Sequence, residues 1–318
     1  MGILSSLFSS SNKEETAGDK QKEDIKNFYI LKYDGIKALN MRKPDYAVRF
    51  LNEALKIRDD FECLRYLMSA YITLHDLDNA LETLNKMVVA EPEDISTLLT
   101  RANVLFMLEQ YAESIKDSKK VLELEPENYH ACYNIAKAKN ATEEFEECIE
   151  YLTKAISLKD DFADAYMLRS EVYLLLKRGG EALADVEKII SMTEDDEYAY
   201  LHRGRIHEFM ENCDDALNDF QYVIELNPFN EEACLLAGKL LFKMEKYDEA
   251  ITILDEATEH IETFAKAYEL RAQAKLKKGD KSGAEEDMAK YAELVASEND
   301  EIEETDPGFG NLYKGNVI

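Results

Sequence analysis

Histidine, cysteine, serine and carboxylate side chains are the groups with which a chain holds metal or makes and breaks bonds. Here their spacing converges on neither task. His75, His130, His202, His207 and His260 are scattered, and the closest two, His202 and His207, are five residues apart, which puts them on different faces of one helix. Cys63, Cys132, Cys148, Cys213 and Cys234 are odd in number, form no CxxC pair and have no histidine at a metal-ligand spacing, so they read as reduced, mostly buried thiols. Cys132 and Cys148 are the pair that could lie close in space, and two small core residues is the preferred reading over a redox couple. No serine or cysteine stands in a nucleophile elbow, no glycine-rich loop follows a strand pattern, and the carboxylates fall on faces expected to be solvated. The expectation is a chain with no catalysis, no cofactor and no metal.

The residues must be positioned by helices. In Glu197 to Asn230, Tyr200, Gly204 and His207 share one face of a first helix, and Ala216, Phe220 and Val223 share one face of a second, at the three-to-four-residue spacing of an apolar stripe. Asn212 to Asp215 reads as the break between them, and Pro228 follows the second helix, where its missing N–H does no harm. Gly204 and Ala216 are small where two helical backbones must approach. Such a hairpin cannot bury its own apolar face and needs neighbours. They recur in phase: Ala80, Ser114, Cys148, Ala182, Ala216, Ala250 and Ala284 lie 34 residues apart, as do Met68, Ala102, Ala136, Ser170, Gly204, Gly238 and Ala272.

This pattern resembles the tetratricopeptide repeat, which pairs a large residue and Gly on helix A with Ala, a large apolar residue and Pro on helix B. The resemblance covers residues 28–298, with Met68 replacing the helix A glycine, Ser114 and Cys148 the helix B alanine, and Asp59, Asp160, Glu194 and Glu262 the closing proline. It implies an all-α, right-handed superhelical solenoid of about eight helical hairpins, with boundaries at 28–60, 61–94, 95–128, 129–162, 163–196, 197–230, 231–264 and 265–298. Turn signals at Arg42-Lys43-Pro44, Arg178-Gly179-Gly180 and Lys278-Gly279-Asp280 agree with that register.

The resemblance also implies a concave groove lined mainly by helix A. One column there reads Asn103, Lys137, Glu171, Arg205, Lys239, Gln273, and a second reads Leu99, Tyr133, Met167, Leu201, Leu235, Glu269, with Phe106, His130, Tyr198 and Phe242 nearby. Apolar beside charged residues suits a bound peptide, while the apolar column is equally readable as packing between adjacent helices. Lys137, Arg205 and Lys239 form a basic strip, open either to an acidic ligand or to pairing with Glu171 or Glu208. Some members of the family clamp a chaperone carboxylate with Lys and Asn residues. Only Asn103 and Asn134 match that clamp, whereas Leu99, Asp164 and Leu168 stand where cations are needed, which argues against it.

The formal net charge of −28 opposes a nucleic-acid backbone as partner, since that role needs clustered cations. No apolar run approaches the length of a membrane span, and residues 1–12 lack the basic start and apolar length of a secretory signal, so a cytoplasmic location is expected. Residues 1–27 are expected to form a flexible arm, 28–298 the array, and 299–318 an acidic, then Gly- and aromatic-containing tail. Gly2 with Ser6 satisfies the N-myristoylation pattern, while Ile3, Leu4, Leu7 and Phe8 also read as a short amphipathic turn or an unstructured arm. The sequence therefore points to a protein-binding scaffold or adaptor whose partner is a protein or peptide. A lipid-anchored adaptor and an accessory subunit that recruits an enzyme's substrate are the alternatives.

Overall fold

The computed structural model describes residues 17–305, with side chains over 20–297. The residues described form helices in hairpin pairs: α1 (Ala17–Asn40) with α2 (Pro44–Ile57), α3 (Phe61–Thr73) with α4 (Leu77–Ala90), α5 (Ile95–Met107) with α6 (Tyr111–Leu124), and α7 (Tyr129–Ala141) with α8 (Phe145–Leu158). Then come α9 (Ala163–Leu175) with α10 (Gly179–Met192), α11 (Glu197–Phe209) with α12 (Cys213–Leu226), α13 (Glu231–Lys243) with α14 (Tyr247–His260), and α15 (Ala265–Lys278) with α16 (Lys281–Thr305). There is no strand among these residues. The helices group into two compact units, one ending at Asp160 and one starting at Asp161.

Within each hairpin the two helices meet where the recurring small residues predict. Ser114 Oγ donates to the carbonyl of Ala102 at 2.8 Å, and Ser170 Oγ donates to the carbonyl of Ala182 at 2.8 Å, distances that only closely approaching backbones allow. The other small position faces a side chain sixteen residues on. A Cβ built on Gly204 would stand 2.5 Å from the Phe220 ring, and one on Gly35 2.6 Å from Leu51 Cγ. Gly204 therefore makes room for a phenyl ring rather than for Ala216.

The turns expected at Arg42-Lys43-Pro44 and Lys278-Gly279-Asp280 stand where the sequence placed them, and the other two are displaced. Gly179 and Gly180 are the first residues of α10, and the residue that reverses the chain is Lys177, at φ 60°. Asn212 to Asp215 is likewise not the break: the linker is Met210 to Asn212, with Glu211 at φ 64° and Cys213 already helical. Arg42, His75, Glu109, Glu143 and Glu245 hold the same left-handed conformation, and Gly279 does so at φ 89°. In the α11–α12 turn the Glu211 N–H reaches the Glu208 carbonyl and the Asn212 N–H reaches back to His207, the paired bonds of a Schellman motif. Those bonds satisfy carbonyls left open at the helix end, which holds a non-glycine residue in a costly conformation.

Two termini differ in extent from expectation. Residues 17–27 belong to α1, and α16 runs past 298 to Thr305. Gly2 and residues 307–318 lie outside the described residues. Among the described residues no helix is long and apolar enough to cross a membrane, and no His, Cys, Asp and Glu cluster is arranged to hold a metal ion.

Candidate functional site

The helix A face differs between the two units. In the first, Asn103 and Phe106 come from α5 and His130, Tyr133 and Lys137 from α7. One helix A residue 34 positions after another sits beside it, so Lys137 Nζ lies 3.2 Å from Asn103 Oδ1. It also stands over two rings, 5.0 Å from the Phe106 centroid and 5.3 Å from that of Tyr133, a cation held by aromatic faces. The His130 ring lies tilted against that of Tyr129, with centroids 4.1 Å apart, and Lys159 lies 4.9 Å from the Tyr129 ring. Burial, and then the charge of Lys159, hold the His130 pKa below its ordinary value.

In the second unit the expected residues are drawn into pairs. Tyr198 Oη donates to Glu171 Oε1 at 2.9 Å, and burial followed by that bond raises the tyrosine's pKa. Arg205 pairs with Glu232. The intramolecular partner of Arg205 is thus neither Glu171 nor Glu208, the latter lying 4.0 Å from Lys243 instead. Leu201 is also not a groove residue: at 4% exposure it packs with Leu217 and Phe220 in the core. Met167 is half-buried on α9.

Lys239 stays outside this pairing. It is exposed and makes no ion pair among the described residues. With Phe242, Leu235, Lys266, Glu269, Leu270 and Gln273 it lines a cleft of about 440 Å³ between α13 and α15. Lys266, also exposed, went unread in the sequence, as did Glu232. The signal was present: His130, Asp164, Tyr198, Glu232 and Lys266 are successive members of a third 34-residue column. The cleft sets two ammonium groups beside Phe242, Leu235 and Leu270, an arrangement suited to a carboxylate next to an apolar side chain.

Two further polar devices belong to stability rather than to the groove. Arg101–Asp117, Arg169–Asp185, Arg203–Asp219 and Arg271–Asp287 each join helix A to helix B of one hairpin through two parallel N–H···O bonds of 2.6 to 2.9 Å. The four aspartates are buried. Inside the second unit His202 Nε2 lies 3.0 Å from Ser170 Oγ. Because the serine proton goes to the Ala182 carbonyl, the imidazole N–H is the donor of that contact. Burial, with Arg205 adding to it, lowers the His202 pKa to about 4. Cys132 and Cys148 are free and buried, and burial raises both thiols, that of Cys148 to about 12, which keeps them protonated and unreactive.

Residues 210–286 match the family model of the tetratricopeptide repeat, and residues 73–155 match that of anaphase-promoting complex, cyclosome, subunit 3. Among solved structures, a tetratricopeptide repeat protein from Parabacteroides merdae is 21% identical, over 74% of this chain and 93% of that one, with a TM-score of 0.55. PilW, a type IV pilus biogenesis factor, is 19% identical over 65% of this chain and 96% of its own, with a TM-score of 0.57. YrrB, a tetratricopeptide repeat protein with an unusual peptide-binding site, is 23% identical over 59% of this chain and 97% of its own, with a TM-score of 0.50. At these identities the likeness is one of fold. Among curated proteins no sequence matches.

Proposed function

The chain belongs to the tetratricopeptide-repeat family, and from that premise we propose that it is a protein-interaction scaffold without catalysis of its own, whose helix A face takes a peptide segment of a partner. The observation that carries this reading is the cleft of Lys239, Lys266, Phe242, Leu235 and Leu270. The two ammonium groups make no ion pair among the described residues and outnumber the one carboxylate, Glu269, that lines the same cleft; in a chain of net charge −28 they cost little to leave solvated but attract an acidic residue against the repulsive field around them. The apolar wall then supplies the affinity that an exposed ion pair does not.

Asn103, Phe106, His130, Tyr133 and Lys137 form a second patch on the first unit, where a cation fixed over two rings presents apolar and polar surface together. Met167, Glu171, Tyr198 and Arg205 act differently in this reading. The Tyr198–Glu171 bond and the Arg205–Glu232 pair hold this surface in shape, and it contacts the peptide as a neutral, hydrogen-bonding stretch.

The test is selection from a random peptide library on the immobilised full chain, followed by calorimetric titration of the enriched peptides. Peptides carrying Asp or Glu beside an aromatic or aliphatic residue are the expected winners. Lys239→Glu with Lys266→Glu should weaken them about tenfold, since two exposed charge contacts of under about 1 kcal/mol each are reversed. Equal affinity of wild type and double variant, both folded, removes the cleft from the site.

A further inference from the structure

Every helix A in the interior of a unit has one face closed by the helix B before it. Cys63 and Ala70 of α3 are buried with Ala47, Leu51 and Ala54 of α2, and Ala233 and Leu240 of α13 with Ala216 and Val223 of α12. On α1, 33 residues before Cys63 and Ala70, that face carries Ile30 and Lys37. No helix among the described residues precedes α1, and the consequence is visible in exposure: Ile30 is 48% and Tyr33 61% exposed where Cys63 is buried and Tyr66 half-buried, and Ile25 at 47% and Tyr29 at 41% extend the apolar surface. Tyr29 and Tyr33 stack on each other at 6.2 Å. Ile30 and Tyr33 lie away from the core-facing residues Phe28, Lys32 and Gly35, and the Arg58 guanidinium stands 5.7 Å from the Tyr29 ring at the edge of the patch.

Its length limits what can cover it. From residue 25 to residue 33 is about 12 Å along a helix, and beyond it the exposed Asp34 and Lys37 replace the buried Leu67 and Ala70 of the next repeat. A full helix from a second copy would have to lay apolar surface over those two charges. A segment of six to eight residues would not.

We propose that the apolar run Ile3–Phe8 folds back on the patch of Ile25, Tyr29, Ile30 and Tyr33 and closes this end of the first unit in cis. The run has Ile3, Leu4, Leu7 and Phe8 at helical spacing, and Met1–Asn12 carries no charged side chain in a chain that is one-third charged, so covering it desolvates no ion. Eight residues separate Phe8 from Ala17, and the nine steps of chain span up to about 30 Å, more than twice the about 12 Å from the start of α1 to Ile25. Short tethering also sets the local concentration of the run in the millimolar range, which favours it over a separate molecule.

The experiment is hydrogen–deuterium exchange by mass spectrometry on the full chain, comparing wild type, Leu4→Asp with Phe8→Asp, and Ser5→Asp with Ser9→Asp as a charge-matched control. The apolar variant should raise exchange over residues 20–33 by about tenfold, the loss expected from uncovering one or two large side chains. The control should leave that stretch unchanged, and residues 197–226 should not respond in either. Trypsin cleavage at the exposed Lys20, Lys22 and Lys26 should accelerate in parallel. Identical exchange in all three proteins overturns the proposal. So does a wild-type dimer in light scattering that Ile30→Asp dissolves, because a second copy then covers the patch, and so does protection of 20–33 that arises only with added phosphatidylcholine vesicles.

Discussion

Hairpins α11–α12 and α13–α14 follow each other at a 34-residue step and have helices of equal length, thirteen and fourteen residues in each, yet they are held together by different chemistry. In the first, Arg203 and Asp219 form a buried bidentate pair across the seam. In the second, Ala237 and Ile253 stand at those positions and pack with Leu240 and Ala250. His202 in the first answers to Leu236 in the second. Backbone geometry is set by the turn and by the close approach of two helices, so the seam accepts either an ion pair or apolar side chains of fitting volume. The outer face is under no such constraint. Arg205 is closed by Glu232, whereas Lys239, one repeat later, lines an open cleft. What repeats in this chain maintains the array, and what breaks the repeat is where binding specificity has room to arise.

The largest effect should come from halving the ion pair. Asp219→Ala leaves the Arg203 guanidinium, only 23% exposed in its side chain, without its carboxylate, at a cost of about 3 kcal/mol. Arg203→Ala with Asp219→Ile, which writes the second hairpin's seam into the first, should recover all but about 1 kcal/mol, because a buried pair and a fitted apolar seam are often near-equivalent. Urea unfolding of the three proteins measures both numbers. A double variant as unstable as the single one would mean that the two seams are not interchangeable.

Next in size is the packing contrast at the glycines. A side chain on Gly204 meets the Phe220 ring at 2.5 Å, whereas one on Gly238 meets Leu254 at 3.1 Å, and a leucine end yields by rotation more readily than a ring wedged between helices. Gly204→Leu should cost about 3 kcal/mol and Gly238→Ala about 1 kcal/mol. Circular dichroism melts that rank them the other way would show that hairpin α11–α12 relaxes more easily than its contacts suggest.

Much of this was readable in advance, and the boundary of what was readable is physical. The 34-residue phase shows in the sequence because only small residues fit where helices touch, so Ala216, Ala250 and Gly204 announce themselves. The turn does not, because Glu211 and Glu245 adopt a left-handed conformation normally signalled by Gly or Asn, and the bonds that hold them there involve backbone alone. Asn212 drew the break two residues late for that reason. The Arg–Asp pairs lie sixteen residues apart, outside any spacing along one helix, and become legible only once the hairpin is folded. Glu232 was missed as the partner of Arg205 because it sits on the next helix A, 27 residues on, while Glu171 and Glu208 were nearer in pattern.

A smaller contrast is one of pH. Folded His202 has a pKa of about 4, below the ordinary 6.5, so between those values the unfolded chain binds a proton that the folded chain refuses. Stability therefore falls as pH drops from about 6.5 towards 4, by about 2 kcal/mol between pH 7.5 and 5 for a shift of this size. His202→Leu, the residue type at the matching position of α13, should flatten that slope. Ser170 keeps its bond to Ala182 in the variant. The carboxylates act in a separate window, because Asp60 is held at about 2 by Lys32 and other hydrogen bonds that outweigh its burial, and its contribution is lost only below about pH 4. Matching pH slopes for wild type and His202→Leu would move the effect to another histidine.

The smallest expected effect tests what the two hairpins share. Glu211 and Glu245 occupy the same left-handed position of their turns, at φ 64° and 60°, where a side chain costs about 1 to 2 kcal/mol that glycine does not. Glycine in turn loses more chain entropy on folding, roughly 0.5 to 1 kcal/mol. Glu211→Gly and Glu245→Gly should then each stabilise by under about 1 kcal/mol, and by equal amounts, although the seams beneath them differ. Gly279, at φ 89° with nothing near its Cβ position, supplies the reverse experiment: Gly279→Ala should lose a similar amount through backbone strain alone. Urea midpoints resolve changes of this size when the slope stays constant. Unequal gains at 211 and 245 would mean that the turn senses the chemistry of its seam, and the separation drawn between a repeating frame and a variable interior would fail at the place where the two hairpins are most alike.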